Sequence, residues 1–88
     1  MPMDQDRAER QAQSLLMCGY TEVQEVATFK VGARVRHVGH QYPEARNGTA
    51  TIERIFTRGV DVEMIVKRDA PEFGSEYGYW ANYHTRVI

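Results

Sequence analysis

The sequence predicts a mainly β domain, a five-stranded small barrel preceded by an N-terminal α-helix. Two alternating apolar runs that meet at a tight Arg58-Gly59 reversal point to it, as does a Val31-Gly32 strand opener ahead of them. The third observation is size: 88 residues, 42% of them hydrophobic, suit one domain built around one core. The expected division is 1–28 for the helix and a connector, and 29–88 for the barrel.

The helix is expected over Asp4 to Met17. Ala8, Ala12, Leu15 and Leu16 recur at helical spacing as one apolar stripe among Gln, Arg and Glu. Asp4 or Asp6 can cap its start, and Gly19 stands where a helix stops in the left-handed conformation. Leu15, Leu16 and Met17 crowd the last turn, so that end is expected to dock on the barrel, with Cys18 as a small buried thiol. Thr21 to Thr28 reads as a short helix or a loop: Thr21 and Gln24 have capping-box spacing, while Val23, Val26 and Ala27 fit neither period. A helix-turn-helix outline is not expected to read DNA, because the second helix would carry Glu22 and Glu25 and no basic residue.

The strands follow. Phe29 to Val38 alternates, with Arg34 and Arg36 on one face and Lys30 on the same side. Gly39 to Gly48 is a polar loop holding Tyr42, Pro43 and an Asn47-Gly48 turn signal. Thr49 to Phe56 is a second strand, with Ala50, Ile52 and Arg54 on one face and Thr51, Glu53 and Ile55 on the other. Val60, Val62, Met64 and Val66 alternate with Asp61, Glu63, Ile65 and Lys67 in the cleanest strand of the chain. Asp69 to Gly74 reads as a loop around Pro71. Tyr77 to Trp80 is strand-like, Ala81 to His84 a short 3₁₀ turn, and Thr85 to Ile88 a closing strand. Closure would remove exposed sheet edges.

This order resembles the Src-homology-3-like small β-barrels, the group that includes KOW and Tudor modules. The matching residues are Phe29-Lys30-Val31-Gly32-Ala33-Arg34-Val35, Asn47-Gly48-Thr49-Ala50-Thr51-Ile52, and the ending Trp80…His84-Thr85-Arg86-Val87-Ile88. The likeness covers 29–88 and implies a fold rather than an activity. The opener and first loop are similar also to the barrel of nitrile hydratase β subunits, with no counterpart of that enzyme's metal-binding subunit in this chain. The Ala-Leu-Tyr-Asp-Tyr signature of peptide-binding Src-homology-3 domains is missing, so the resemblance does not extend to proline-rich ligands.

Charge and composition narrow the function. Net charge is −1, which argues against strong non-specific nucleic-acid binding. It is unevenly spread, with a basic stretch from Phe29 to Arg68 between acidic ends. A lone Cys18 excludes an internal disulfide and suits a reducing compartment. Without a signal peptide or a roughly 20-residue apolar span, a cytoplasmic protein that does not enter membranes is expected.

Catalytic and metal motifs are missing: there is no phosphate loop, His-Glu-x-x-His or nucleophile elbow. His37 and His40 with His84 and Cys18 lack the converging spacing that zinc requires. No enzyme activity, metal or cofactor is therefore expected. What stands out is an aromatic cluster beside arginines. Tyr42, Phe73, Tyr77, Tyr79 and Tyr83, flanked by Arg34 and Arg36, form the expected ligand-binding face, with Trp80 turned to the core. The expected function is a non-enzymatic interaction module for a partner protein or peptide. The alternative is a KOW-like nucleic-acid-binding accessory domain using the same residues. A third reading is a small structural subunit that oligomerises through Leu15, Leu16 and Met17. The short, free-standing form is typical of phage or mobile-element accessory proteins.

Overall fold

In the computed structural model the described residues are 2–38, 48–72 and 75–88. The chain is mainly β with one N-terminal helix, as its patterning predicts. Helix α1 (Pro2–Met17) starts at a proline, ahead of both aspartates expected to cap it. Ala8, Ala12 and Leu15 are its buried stripe. Leu16 and Met17 fall about 100° and 200° further round the helix, and they are 38% and 86% exposed. The chain then leaves through Gly19 at φ 92°. The Gly19 N–H donates to the Leu16 carbonyl and that of Tyr20 to Leu15, a Schellman stop. Cys18 is exposed, not buried. It caps the helix on its outer side, where Arg58 Nη1 donates to its carbonyl at 2.8 Å.

The connector is strand rather than helix or loop. Strand β1 (Thr21–Val23) pairs antiparallel with residues 55–57, and β2 (Glu25–Val26) forms a small hairpin with β3 (Phe29–Lys30). Pairing partners outweigh the capping-box signal here, because a short helix would leave the far edge of the long second strand uncovered. The opener does not run on as one strand. Gly32 at φ 91° turns the chain, separating β3 from β4 (Arg34–His37). Lys30 is thereby removed from the arginine face and sits across from Glu25.

Two long strands form the spine. They are β5 (Thr49–Arg58) and β6 (Asp61–Glu72), joined by a turn at Gly59-Val60. The segment after Asp69, expected as loop, continues β6 to Glu72, and β7 (Ser75–Ala81) pairs back on it. A 3₁₀ turn (Asn82–His84) leads into β8 (Thr85–Val87), which pairs with β4. The order is β7-β6-β5-β4-β8, with β1 also on β5. No pairing among the described residues joins β7 to β8, so the ladder is not closed into a barrel.

A bulge near Glu53 decides what each face buries. The register shifts between Ile52 and Arg54, so Ile55 joins Ala50 and Ile52 on the inner face, and Arg54 leaves it. That face packs Val35, Ile52, Ile55, Met64, Val66 and Trp80 into the main core. The opposite face gives Phe56 and Ile65 to the helix stripe, with Tyr20 and Tyr77 at its margin. Thus the sheet is apolar on one face and half apolar on the other. No helix among the described residues is long and apolar enough to cross a membrane.

Candidate functional site

The half of the outer face that α1 leaves uncovered is polar and cationic. Residues directly opposite in an antiparallel ladder share a face, so the register reads out its side chains. Arg34 opposes Thr51 and Thr51 opposes Lys67. Lys67 in turn opposes Tyr77, which completes one row across four strands. The next row carries Arg86, Arg36 and Thr49. At about 4.8 Å per strand, the first row spans roughly 14 Å. Its tyrosine end abuts the helix cluster.

The cations in these rows are not equivalent. Arg34 is held: its Nη1 donates to Asp69 Oδ1 at 2.8 Å and to Thr51 Oγ1 at 2.9 Å, and Nη2 also bonds the carboxylate. The Arg34 guanidinium and then the Thr49 hydroxyl, which donates at 2.6 Å, hold the Asp69 carboxyl well below the usual carboxylate range. Arg36, Lys67 and Arg86 are exposed and form no ion pair among the described residues. This face therefore presents three available positive charges around one neutralised pair.

Of the residues expected to form a ligand face, Arg34, Arg36, Tyr77 and Tyr79 share this outer side. Tyr77 is partly buried against the helix cluster. Tyr79 opposes Ile65 one row further along and is 42% exposed. Tyr83 stands apart on the 3₁₀ turn: it is 83% exposed, with its ring 4.6 Å from that of His84. Tyr42 and Phe73 lie outside the described residues. Lys67 and Arg86, not singled out by sequence reasoning, complete the patch. Their signal was present in the alternation of both strands, but pairing them with Arg34 and Arg36 requires the register.

Concavities lie beside the patch and away from it. A cleft of about 220 Å³ runs between α1 and the sheet, lined by Gln5, Glu9, Glu53, Arg54 and Tyr77 among others. A larger depression of about 760 Å³ follows α1 alone, along Asp6, Arg10, Gln13 and Met17. With only one helix for a wall, it is a surface groove. Among the described residues no group of three or more His, Cys, Asp or Glu side chains converges as metal ligands would. His40 lies outside them. No family model, curated protein or solved structure matches the chain.

Proposed function

We propose that this chain is a non-enzymatic interaction module whose outer sheet face takes an acidic segment of a partner protein. The observation that carries the reading is the cross-strand arrangement of Arg36, Lys67 and Arg86, exposed beside Tyr77 and Tyr79. Carboxylates of an extended or helical segment would meet these cations at the rim, while the tyrosines supply apolar contact area. The order β8-β4-β5-β6-β7, with a 3₁₀ turn before the last strand, supports an Src-homology-3-like reading. In it the sheet curls around the main core, with β5 bending at its bulge. A lone exposed Cys18 suits a reducing cytoplasm.

The KOW-like nucleic-acid reading draws on the same cations. It is second because bases stack on free ring faces, whereas Tyr77 packs on the helix cluster and Arg34 is neutralised by Asp69. The oligomer reading is weakest, since Leu15 is buried within its own subunit and leaves Leu16 and Met17 alone.

Fluorescence anisotropy with a labelled poly-glutamate peptide and a labelled oligo-deoxythymidine separates the first two. The wild type is expected to bind the peptide, and Arg36→Glu/Lys67→Glu to bind it about tenfold or more weakly through rim charge reversal. Binding of the oligonucleotide alone would move the nucleic-acid reading to first place. Binding of neither would remove this face as an anion site.

A further inference from the structure

The other notable cluster lies where the chain closes. His37, the last residue of β4, is a buried histidine, 6% exposed. Its ring stands edge-on to Trp80 at 4.9 Å and tilted against His84 at 4.7 Å. His84 ends the 3₁₀ turn, and its Nδ1 is buried without a hydrogen-bond partner among the described residues. The strand that follows, β8, is three residues long. Thr85 anchors it, buried and donating through Oγ1 to the Ala81 carbonyl at 2.7 Å. Val87 and Ile88 are 41% and 63% exposed. The Val38 N–H donates to the His84 carbonyl at 2.9 Å, and that of Ile88 to Arg34 at 3.0 Å. A short edge strand with so little apolar burial belongs to the least stable part of a fold.

We infer that the stacked pair His37–His84 is an acid-operated latch: protonation of the buried His37 ring against His84 releases the 3₁₀ turn and β8 from β4 while β5, β6 and β7 stay folded. The buried His37 ring is shut off from the water that would dissipate an imidazolium charge, and a charge on the His84 ring beside it repels that cation. Burial, and then the charge of His84, hold the His37 imidazole below its usual range. Below about pH 6.5 the open segment therefore takes up protons that the closed one refuses, and acid favours opening.

Among the described residues the groups facing the pair can be named element by element, beginning with the uncharged Tyr83 ring, 4.6 Å from that of His84 on the 3₁₀ turn. From β6, Glu63 faces His84 and attracts its charge, with Asp61 acting on Glu63. From β7, Trp80 offers an uncharged ring, and from β8, Thr85 an uncharged hydroxyl. Arg36 and Arg86 lie on the opposite, outer face. Burial pushes the Glu63 carboxyl up. A carboxyl raised in the closed state favours closure as it gains its proton, so Glu63 opposes the latch at the acid end. Opening therefore sets in as pH falls below about 6.5 and is opposed by Glu63 as that carboxyl gains its proton. Because Arg86 rides on β8, opening also takes one cation from the outer patch. That consequence rests on the function proposed above, whereas the opening itself does not.

Amide hydrogen exchange of the full chain, followed by NMR at pH 7.5 and 5.5 and expressed relative to intrinsic rates, tests the latch. Protection at Val38 and Ile88 is expected to fall about tenfold or more, the effect of one pKa unit, with Ile52 unchanged. In His84→Gln the fall of both is expected to be smaller than in the wild type but not abolished, because burial still disfavours the His37 cation. The emission of Trp80, the single tryptophan, should change over the same range because His37 touches its ring. Level protection at Val38 and Ile88 in the wild type would overturn the inference. So would a fall shared equally by Ile52, which would mean global unfolding. Should His84→Gln not fold, the wild-type comparison decides alone.

Discussion

Arg54 grips Glu22 with two parallel hydrogen bonds, Nε to Oε2 and Nη2 to Oε1, each 2.8 Å long. Its remaining Nη1 donates to Glu9 Oε2 at 2.9 Å. One guanidinium thus ties β5 to both α1 and β1, while lying over the Phe56 ring at 5.4 Å. The Arg54 hydrogen bonds hold the Glu22 carboxyl below its usual range. Arg54→Met keeps the aliphatic stem over Phe56 and removes the clamp. It is expected to cost about 1 kcal/mol, the upper end for partly exposed pairs, and to loosen α1 before the sheet. Urea unfolding gives the first quantity, and amide exchange at Ala12 the second. An unchanged midpoint would make the clamp decorative.

The β2–β3 hairpin turns at Ala27, whose φ is 53°. This left-handed conformation strains an L-residue with a Cβ and suits glycine. Ala27→Gly should therefore stabilise the domain by roughly 0.5 kcal/mol, net of the entropy that glycine adds to the unfolded chain. Thermal unfolding would show a midpoint about 2–4 °C higher. A lower midpoint would mean that the turn does not limit stability.

Gly78 stands in β7 where a side chain has no room. A Cβ there would lie 2.8 Å from Trp80 Nε1 and 3.3 Å from Val66 Cγ2. The indole is a rigid part of the core, so Gly78→Ala must displace it, at a cost of about 1–3 kcal/mol. Tryptophan emission and urea midpoint should both shift. Loss of neither would contradict the packing described for this face.

Acid stability follows from Asp69 and Glu22. Both carboxyls are held below their usual ranges in the folded chain, Asp69 by Arg34 and Thr49, Glu22 by Arg54. Each contributes stability present above its unfolded pKa of about 4 and lost as pH falls through the folded value. Urea midpoints are expected to drop progressively below about pH 5. Asp69→Asn should be less stable than the wild type at pH 7 and show a shallower acid decline. An identical slope in the two proteins would mean that the pair does not form in solution.

Some of this architecture is legible in the sequence. The Ala8-Ala12-Leu15 stripe, the Gly19 stop and the Val62-Met64-Val66 alternation each carry a local period or a glycine, and each folds as it reads. The failures are tertiary. Thr21 to Val23 becomes strand because β5 offers an edge, a partner that no local window contains. The bulge near Glu53 exchanges the faces of Arg54 and Ile55, and strict alternation cannot anticipate one extra residue. The outer patch shows the same divide. Arg34, Arg36, Tyr77 and Tyr79 stand out as residue types, whereas Lys67 and Arg86 join them only through strand register. His37 and His84, 47 positions apart, are brought together by the return of β8 to β4.

The outer face is proposed to receive an anionic protein segment. A proton–nitrogen NMR titration of labelled protein with poly-glutamate peptide, at low salt and again at about 0.3 M, tests it most directly. Peptide-induced shifts are expected at Arg36, Lys67, Tyr77 and Arg86, weakened but not abolished by salt, and none at Val60 in the β5–β6 turn or at Met17 at the end of α1. Shifts scattered over the surface, or an unperturbed spectrum at low salt, would contradict it.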